Sequence, residues 1–365
     1  MQIRAAVTES KGAPFAIQEL ELGELRPDEV LVEIAASGIC HTDLICRDQW
    51  LPVPFPVVLG HEGAGTVKEV GSAVTQVAPG DRIGMTFNSC GHCRTCLRGK
   101  SAYCLDIFGR NFASARPDGT SVLSRGGAPV NAHFFGQSSF ATHAVATARN
   151  VVKLPDDVAF ELAAPFGCGI QTGAGAVLNV MRPPAGSSLL VTGTGAVGLS
   201  AVMAGVIAGC ATIIGYDIRP ARLELARELG ATHVIDANTA DVGDEIRRIT
   251  GGGADYAIET TGAPAVLRSA FEGLAPTGEV GVIGAPPPGA DVSFDMNSFL
   301  AFGRVVRGIV EGDSVPDLFI PTLLDLWRRG RFPVDRMMVS YDFDRINEAV
   351  HDAEEGTTVK PVLVM

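Results

Sequence analysis

The sequence predicts an α/β protein of two domains, an irregular β domain and a doubly wound parallel sheet. Three observations carry this. The chain has 365 residues, too many for one ordinary core and suited to two. Its first half is a series of short apolar runs broken by Gly and Pro, such as VLVEIAASG and VLGHEGAGTVKEVG and APGDRIGM, which read as strands and turns. After about Gly169, short apolar strands alternate with helical patterns, the signature of βαβ units.

Taken in order, the second half begins with a strand in SLLVTGTG (188–195) and a small-residue helix at 196–209. A strand TIIGYD (212–217) and a charged amphipathic helix at 219–229 follow, the helix closed by Gly230. HVIDA, a helix near 241–250, DYAIETTG, a helix from Pro264 and EVGVIGA continue the alternation, and VVRGIV (305–310) supplies a last strand. The tail reads as a helix begun by Ser314 and Pro316 and closed by Gly330, a shorter helix near 344–354, and a strand in VKPVLVM. The stretch from Leu105 to Gln137 has little periodicity and reads as loops.

Composition narrows the function classes. Hydrophobic residues make up 46% and the net charge is −12, which argues against nucleic acid and anionic membranes as partners. The start, MQIRAAVTESKGAP, lacks the basic then apolar pattern of a signal peptide, and no apolar run reaches about 18 residues. The expected compartment is therefore the cytoplasm. Thiols stay reduced there, and clustered cysteines more often bind metal than form disulfides.

GTGAVG (193–198) fits G-x-G-x-x-G with Gly193, Gly195 and Gly198. The pattern alone is weak, but here it leaves an apolar strand and opens a helix. The first glycine makes the turn, the second lets backbone approach a pyrophosphate, and the third packs helix on strand. The helix N-terminus then favours phosphate. Asp217, 19 residues beyond Gly198, sits where a carboxylate bonds the ribose hydroxyls and repels a 2′-phosphate, which favours NAD over NADP. The alternative is a glycine-rich turn in an α/β domain that binds no nucleotide.

Cys90, Cys93, Cys96 and Cys104 are separated by two, two and seven residues. Four thiolates on one loop suit a closed tetrahedral zinc, although iron–sulfur clusters use similar spacing and a redox dithiol or disulfide set is the remaining reading. Elsewhere Cys40, His61 with Glu62, and Cys168 each lie beside glycine at a break in apolar sequence. Two thiolates, one imidazole and an open fourth position make a catalytic zinc, the set that is known from alcohol dehydrogenase. Each residue alone would more often be core. Cys46 and Cys210 have no partners by spacing and read as core residues.

With these motifs in place, the sequence strongly resembles the zinc-dependent medium-chain alcohol dehydrogenases. GHEGAGTVKEVG, PGDRI, the four-cysteine loop, GCGIQTGAGA, GTGAVG and VKPVLVM come in the family's order across nearly the whole chain. The resemblance implies a GroES-like β-barrel catalytic domain (1–169), a Rossmann NAD-binding domain (170–310) and a C-terminal part completing the catalytic domain (311–365). It implies zinc at two sites per chain, with Cys40, His61 and Cys168 holding the catalytic ion and the other four cysteines a structural one. Glu62 resembles the acid near the metal, Asp43 the carboxylate that orients His61, and Thr42 the hydroxyl that takes the substrate proton. His41, Arg222 and Lys360 match cationic contacts to cofactor phosphates or ribose, and Thr172 and Val197 match contacts on the nicotinamide side. One position departs: where several animal and plant relatives carry a relay histidine, this chain has Ile45, so the proton's exit is not visible, with His41 as a substitute.

CHTDLICRDQWLPVPFPVVLGHEG, FGRNF and FFGQSSFATHAV most resemble bacterial aryl-alcohol (benzyl-alcohol) dehydrogenases, with geraniol dehydrogenases nearby. Leu51, Phe87 and Ala285 match the family's substrate pocket, with Trp50 and Phe134 as neighbours. The expected activity is reversible oxidation of a primary aromatic or allylic alcohol to its aldehyde. S-(hydroxymethyl)glutathione dehydrogenase is a rival within the fold, but it needs a cationic cluster for the glutathione carboxylates and none is identified. A zinc-free, non-enzymatic binding protein of the same fold is the rival from another class. A homodimer or homotetramer is the expected assembly.

Overall fold

The computed structural model describes residues 1–239 and 242–365. The chain divides into two compact units. The first comprises Met1–Cys168, Val315–Leu324 and Met338–Met365, and the second Gly169–Ser314 and Asp325–Met337.

The first unit is built on two sheets. The larger is organised around the ten-residue strand Glu29–Gly38, whose run of buried residues lets it sit at the centre. Gly63–Val70 pairs antiparallel along one side of it. On the other side, His143–Thr147 pairs with its first half and Lys360–Val364 with its last residues. In that last pairing Val362 faces Gly38 and Leu363 faces Ser37, so the C-terminal strand carries Lys360 to the end of the central strand, beside Cys40. The smaller sheet runs Val57–Val58, Gln2–Thr8, Ala16–Leu22, Leu123–Arg125 and Ala128–Val130. An apolar cluster including Leu20, Val57, Phe87, Phe134, Phe140 and Leu363 forms the unit's principal core.

The second unit is a six-stranded parallel sheet. Its order is His233–Asp236, Thr212–Asp217, Ser188–Thr192, Ala254–Glu259, Leu274–Val282, Val305–Gly308. Counted along the chain within the unit, this is 3-2-1-4-5-6, the doubly wound dinucleotide-binding order. Strand Ser188–Thr192 is buried at every residue, as a central parallel strand must be. Helix Ala196–Ala208 follows it directly. The expected helix near 241–250 is observed over Val242–Thr250, and residue 241 lies outside the described residues. No described helix is long and apolar enough to cross a membrane.

The Leu105–Gln137 region corrects the sequence reading. It holds a helix over Ile107–Phe112 and two strands, Leu123–Arg125 and Ala128–Val130. These elements are short and acquire their partners from elsewhere: Leu22 pairs with Leu123, and Asn111, fully buried, bonds the backbone of Asn88. Such contacts leave no periodicity in the sequence.

This region also buries an ion pair and an imidazole. Arg116 donates to both oxygens of Glu29 at 2.7 and 2.6 Å. His133, with left-handed backbone (φ 66°), is nearly fully buried, and burial pushes its pKa down to about 4. The unfolded chain, with a histidine near 6.5, therefore binds more protons than the native chain below that pH. The stability this confers is complete above pH 6.5 and is lost as pH falls toward 4. Wild type should lose roughly 2 kcal/mol through this group between pH 7 and pH 5, and His133→Asn should lack that loss in urea titrations at the two pH values.

Candidate functional site

Cys40 caps the start of helix His41–Arg47 with extended backbone (φ −117°, ψ 154°). Asp43, three residues on, turns back so that its Oδ2 accepts from the Cys40 amide at 2.9 Å. Its Oδ1 takes His61 Nδ1 at 2.8 Å and the Gly60 amide at 3.0 Å. One buried carboxylate thus ties the helix start to the turn carrying His61. Gly38 leaves room for Glu62, because a Cβ there would lie 2.0 Å from Glu62 Oε2. Cys168 follows the turn Ala164–Gly167, where Gly167 lies against the Met85 carbonyl too closely for any side chain.

These elements converge. One ligand atom each from Cys40, His61, Glu62 and Cys168 lies within 4.8 Å of the others. The donor set suits a cation. His61 Nε2 is buried without a hydrogen-bond partner among the described residues, a costly state for an imidazole nitrogen unless something accepts its lone pair. Burial is the largest single influence and disfavours its charge, but Asp43 and Cys40 together outweigh burial and hold its pKa well above the usual range, which makes Nε2 a strong lone-pair donor. The Cys40 thiol is held well below its usual pKa, chiefly by Cys168 and also by His61 and Lys360. Two thiolates and one imidazole are a catalytic zinc set with a fourth position to spare.

Lys360 and Glu62 form a second buried pair at this site. Lys360 Nζ lies 2.5 Å from Glu62 Oε2 and donates to the Ile39 carbonyl at 3.1 Å. Burial pushes Glu62 up to about 7 against the pull of Lys360. Burial works against the Lys360 charge too, but Glu62 and the Cys40 thiolate keep the ammonium above its ordinary pKa. The structure thus places Lys360 inward, on Glu62, a partner the sequence does not announce. His41 is exposed on the first turn of its helix, and Thr42 Oγ1 is 3.8 Å from Cys40 Sγ. Ile45 is buried on the same helix.

The four-cysteine lobe is a separate centre. Its sulfur separations include 3.5 Å (Cys93–Cys96), 3.9 Å (Cys90–Cys96) and 4.0 Å (Cys93–Cys104). A tetrahedron of about 2.3 Å zinc–sulfur bonds has edges of about 3.8 Å, so the cluster fits that ion. Backbone amides of Cys93, Cys90 and Asp106 point at the sulfurs, which favours thiolates. All eight cysteines are free thiols in the structure.

In the second unit, Gly193 turns the chain with φ 82°. A Cβ at Gly198 would lie 1.8 Å from the Gly193 carbonyl, whereas one at Gly195 would meet only Arg222 at 4.0 Å. The helix therefore packs on the turn while Gly195 stays clear, as a pyrophosphate requires. Asp217 Oδ2 accepts from the Thr194 amide and hydroxyl at 2.7 and 3.0 Å, and Oδ1 from the Arg219 amide. Arg222 lies beside it, with Nε buried and without a hydrogen-bond partner among the described residues. Thr194, which carries the loop onto Asp217, is a contributor that sequence reading missed. Thr172 donates to Glu311 at 3.2 Å, and Val197 lies where its helix meets Gly173.

Of the pocket residues, Phe87 and Phe134 are buried in the first unit's core with Leu51 packed against it, and Trp50 is partly exposed. Ala285 is exposed on the second unit, after strand Leu274–Val282. Sequence reading passed over Phe135, whose ring stacks on His61 with centroids 4.4 Å apart, and Gln137, which bonds the backbone on both sides of Glu62.

A doubly wound nucleotide-type unit, together with a unit whose side chains form two clusters able to hold a cation, defines a metal- and nicotinamide-dependent dehydrogenase. Comparison with known proteins agrees. Residues 26–156 match the alcohol dehydrogenase GroES-like domain and residues 196–327 the zinc-binding dehydrogenase family. The geraniol dehydrogenase of Castellaniella defragrans is 47% identical over 363 residues, 99% of this chain and 97% of that protein. The crystal structure of benzyl alcohol dehydrogenase from Acinetobacter calcoaceticus superposes with a TM-score of 0.97 at 46% identity, covering 100% of this chain and 99% of that one. The S-(hydroxymethyl)glutathione dehydrogenase of Paracoccus denitrificans is 35% identical over the full length of both. The chain belongs to the zinc-dependent medium-chain alcohol dehydrogenases, which use zinc and a nicotinamide dinucleotide.

Breaking the buried pair at this site tests its electrostatics. Lys360→Met removes the ammonium from Glu62 and should lower the unfolding free energy by about 3 to 5 kcal/mol. Adding Glu62→Gln should restore most of the loss, both read from urea titrations of the same preparations.

Proposed function

We propose that the chain catalyses the reversible, NAD-dependent oxidation of a primary aromatic or allylic alcohol to its aldehyde. The observation that carries this reading is the convergence of Cys40, His61 and Cys168 beside an aromatic wall. In this reading those three residues hold the catalytic zinc, and Cys90, Cys93, Cys96 and Cys104 hold a structural one. Zinc supplies Lewis acidity, the property that lowers the pKa of water from about 15.7 to about 7, and the nicotinamide accepts hydride.

The chain's own residues do the rest. Thr42 Oγ1 takes the alcohol's proton. Ile45 offers no onward acceptor, so the exposed His41, next to Thr42 in the chain, receives the proton instead. Asp43 keeps His61 in one tautomer by accepting from Nδ1, which leaves Nε2 for the metal. Glu62 would be the carboxylate available to a metal here for ligand exchange, and Lys360 pairs with it. Gly195 and the start of helix Ala196–Ala208 take the pyrophosphate, with Arg222 nearby. Asp217, already bonded to Thr194, keeps lone pairs for the ribose hydroxyls and repels a 2′-phosphate, which favours NAD. Thr172 and Val197 approach the nicotinamide side.

Leu51, Phe87 and Phe134, with Trp50, make the first unit's substrate wall in this reading. Flat apolar walls suit a planar ring or a conjugated chain. The similarity to both a geraniol and a benzyl alcohol dehydrogenase supports the allylic variant equally. Eight free cysteines suit the reducing cytoplasm. A homodimer or homotetramer fits the second unit, whose sheet ends in the edge strand Val305–Gly308 beside exposed Met296 and Leu300.

The test is a screen of benzyl alcohol, cinnamyl alcohol, geraniol, ethanol and S-(hydroxymethyl)glutathione with NAD and with NADP. An aromatic or allylic alcohol should exceed ethanol in kcat/KM by at least about 100-fold, with NAD preferred. Preference for ethanol or the glutathione adduct would overturn the substrate reading.

A further inference from the structure

We propose that Phe135 is a positioning residue for His61, one that fixes the direction of Nε2 by covering the face of the imidazole. The inference rests on the reading that His61 ligates a metal. The hydrogen bond from Nδ1 to Asp43 holds one edge of the ring, yet a single hydrogen bond leaves the ring free to swing about that bond. The swing is blocked by the two rings that follow His133. Phe135 lies over the imidazole face, with centroids 4.4 Å apart and planes 27° apart. Phe134 meets it edge-on, at 5.5 Å and 84°. Phe112 backs both, at 5.1 Å from Phe135 and 6.1 Å from Phe134.

Two consecutive side chains reach one ring only because the backbone curls. His133, Phe135, Gly136 and Ser138 all have positive φ, at 66°, 52°, 67° and 56°. Left-handed backbone is costly for a bulky residue such as phenylalanine, and it persists only where its surroundings over-determine it. Here they do. Asn150 Nδ2 donates to the carbonyls of Phe135 and Gly136 at 3.2 and 3.1 Å. Ser138 Oγ accepts from the Phe134 amide at 2.9 Å and donates to the Val58 carbonyl at 2.6 Å. Gln137 closes the arrangement: Nε2 donates to the His61 carbonyl at 2.9 Å, and Oε1 accepts from the Gly63 amide at 3.0 Å. One six-residue turn therefore grips His61 by its ring and by its backbone. A turn that merely filled the core would not need strained backbone aimed at a single imidazole.

Holoenzyme variants test this. Phe135→Leu keeps an apolar side chain and removes the flat face, and Phe135→Tyr keeps the face. Zinc release to the chelator 4-(2-pyridylazo)resorcinol is followed for each. One of the two zincs should leave Phe135→Leu at least about tenfold faster than it leaves wild type, with the four-cysteine zinc unchanged and Phe135→Tyr close to wild type. Cobalt placed at the labile site should show a shifted visible spectrum in Phe135→Leu and an unshifted one in Phe135→Tyr. If Phe135→Leu loses the four-cysteine zinc as well, Phe135→Met, with a flexible chain that refills the space, carries the same readout. Wild-type release kinetics and an unchanged cobalt spectrum in the folded aliphatic variant would overturn the positioning role. A wild-type protein without a second, labile zinc would instead sink the metal-site reading beneath it.

Discussion

The site depends on the carboxylate of Asp43. It is fully buried and bonds the Cys40 amide, the Gly60 amide and His61 Nδ1. Those three groups lie on different segments, a helix start and a turn some twenty residues later. Without the carboxylate, the helix would lose its cap and the imidazole its orientation together. Cys168 reaches the same place through a backbone turn packed against Met85, where only glycine fits at 167. The central sheet then brings in the chain's last strand, so that Lys360 lies beneath Cys40 and balances Glu62. A buried pair of this kind is weak evidence for stability and good evidence for a role, since apolar residues would fill the space at less electrostatic cost.

The nucleotide unit follows the same logic with backbone in place of metal. Asp217 fixes Thr194, Thr194 fixes the glycine turn, and the turn fixes the open end of helix Ala196–Ala208. In the proposed reading, the residue that would select among ribose forms also shapes the loop that would take the phosphates. In each unit a buried carboxylate thus organises the backbone of the candidate site.

The fold class was legible because both of its signals are local. Alternating strands and helices leave a period in the sequence, and the glycines of GTGAVG sit where turn and packing demand them. The four-cysteine lobe was legible for a similar reason, since its sulfurs come from one loop and their spacing survives folding. The Leu105–Gln137 stretch was not, because its helix and strands are held by Asn111, Arg116 and pairings to distant strands. Phe135, Gln137 and the inward direction of Lys360 were equally hidden. The sequence offered Phe134 only as a neighbour of the substrate pocket and did not single out Phe135, and only tertiary structure shows that Phe135 lies on an imidazole. A resemblance to a family can point at ligands one by one, but the residues that aim them leave no motif.

The central claim is that a metal ion sits among Cys40, His61 and Cys168 with one position open. Diffraction from crystals of the purified protein, recorded on both sides of the zinc absorption edge, tests it most directly. The account predicts two anomalous peaks per chain. One lies inside the four-cysteine lobe, and the other about 2.3 Å from the Cys40 and Cys168 sulfurs and about 2.0 Å from His61 Nε2. A single peak in the lobe, with those three side chains bonded only to protein, would contradict it.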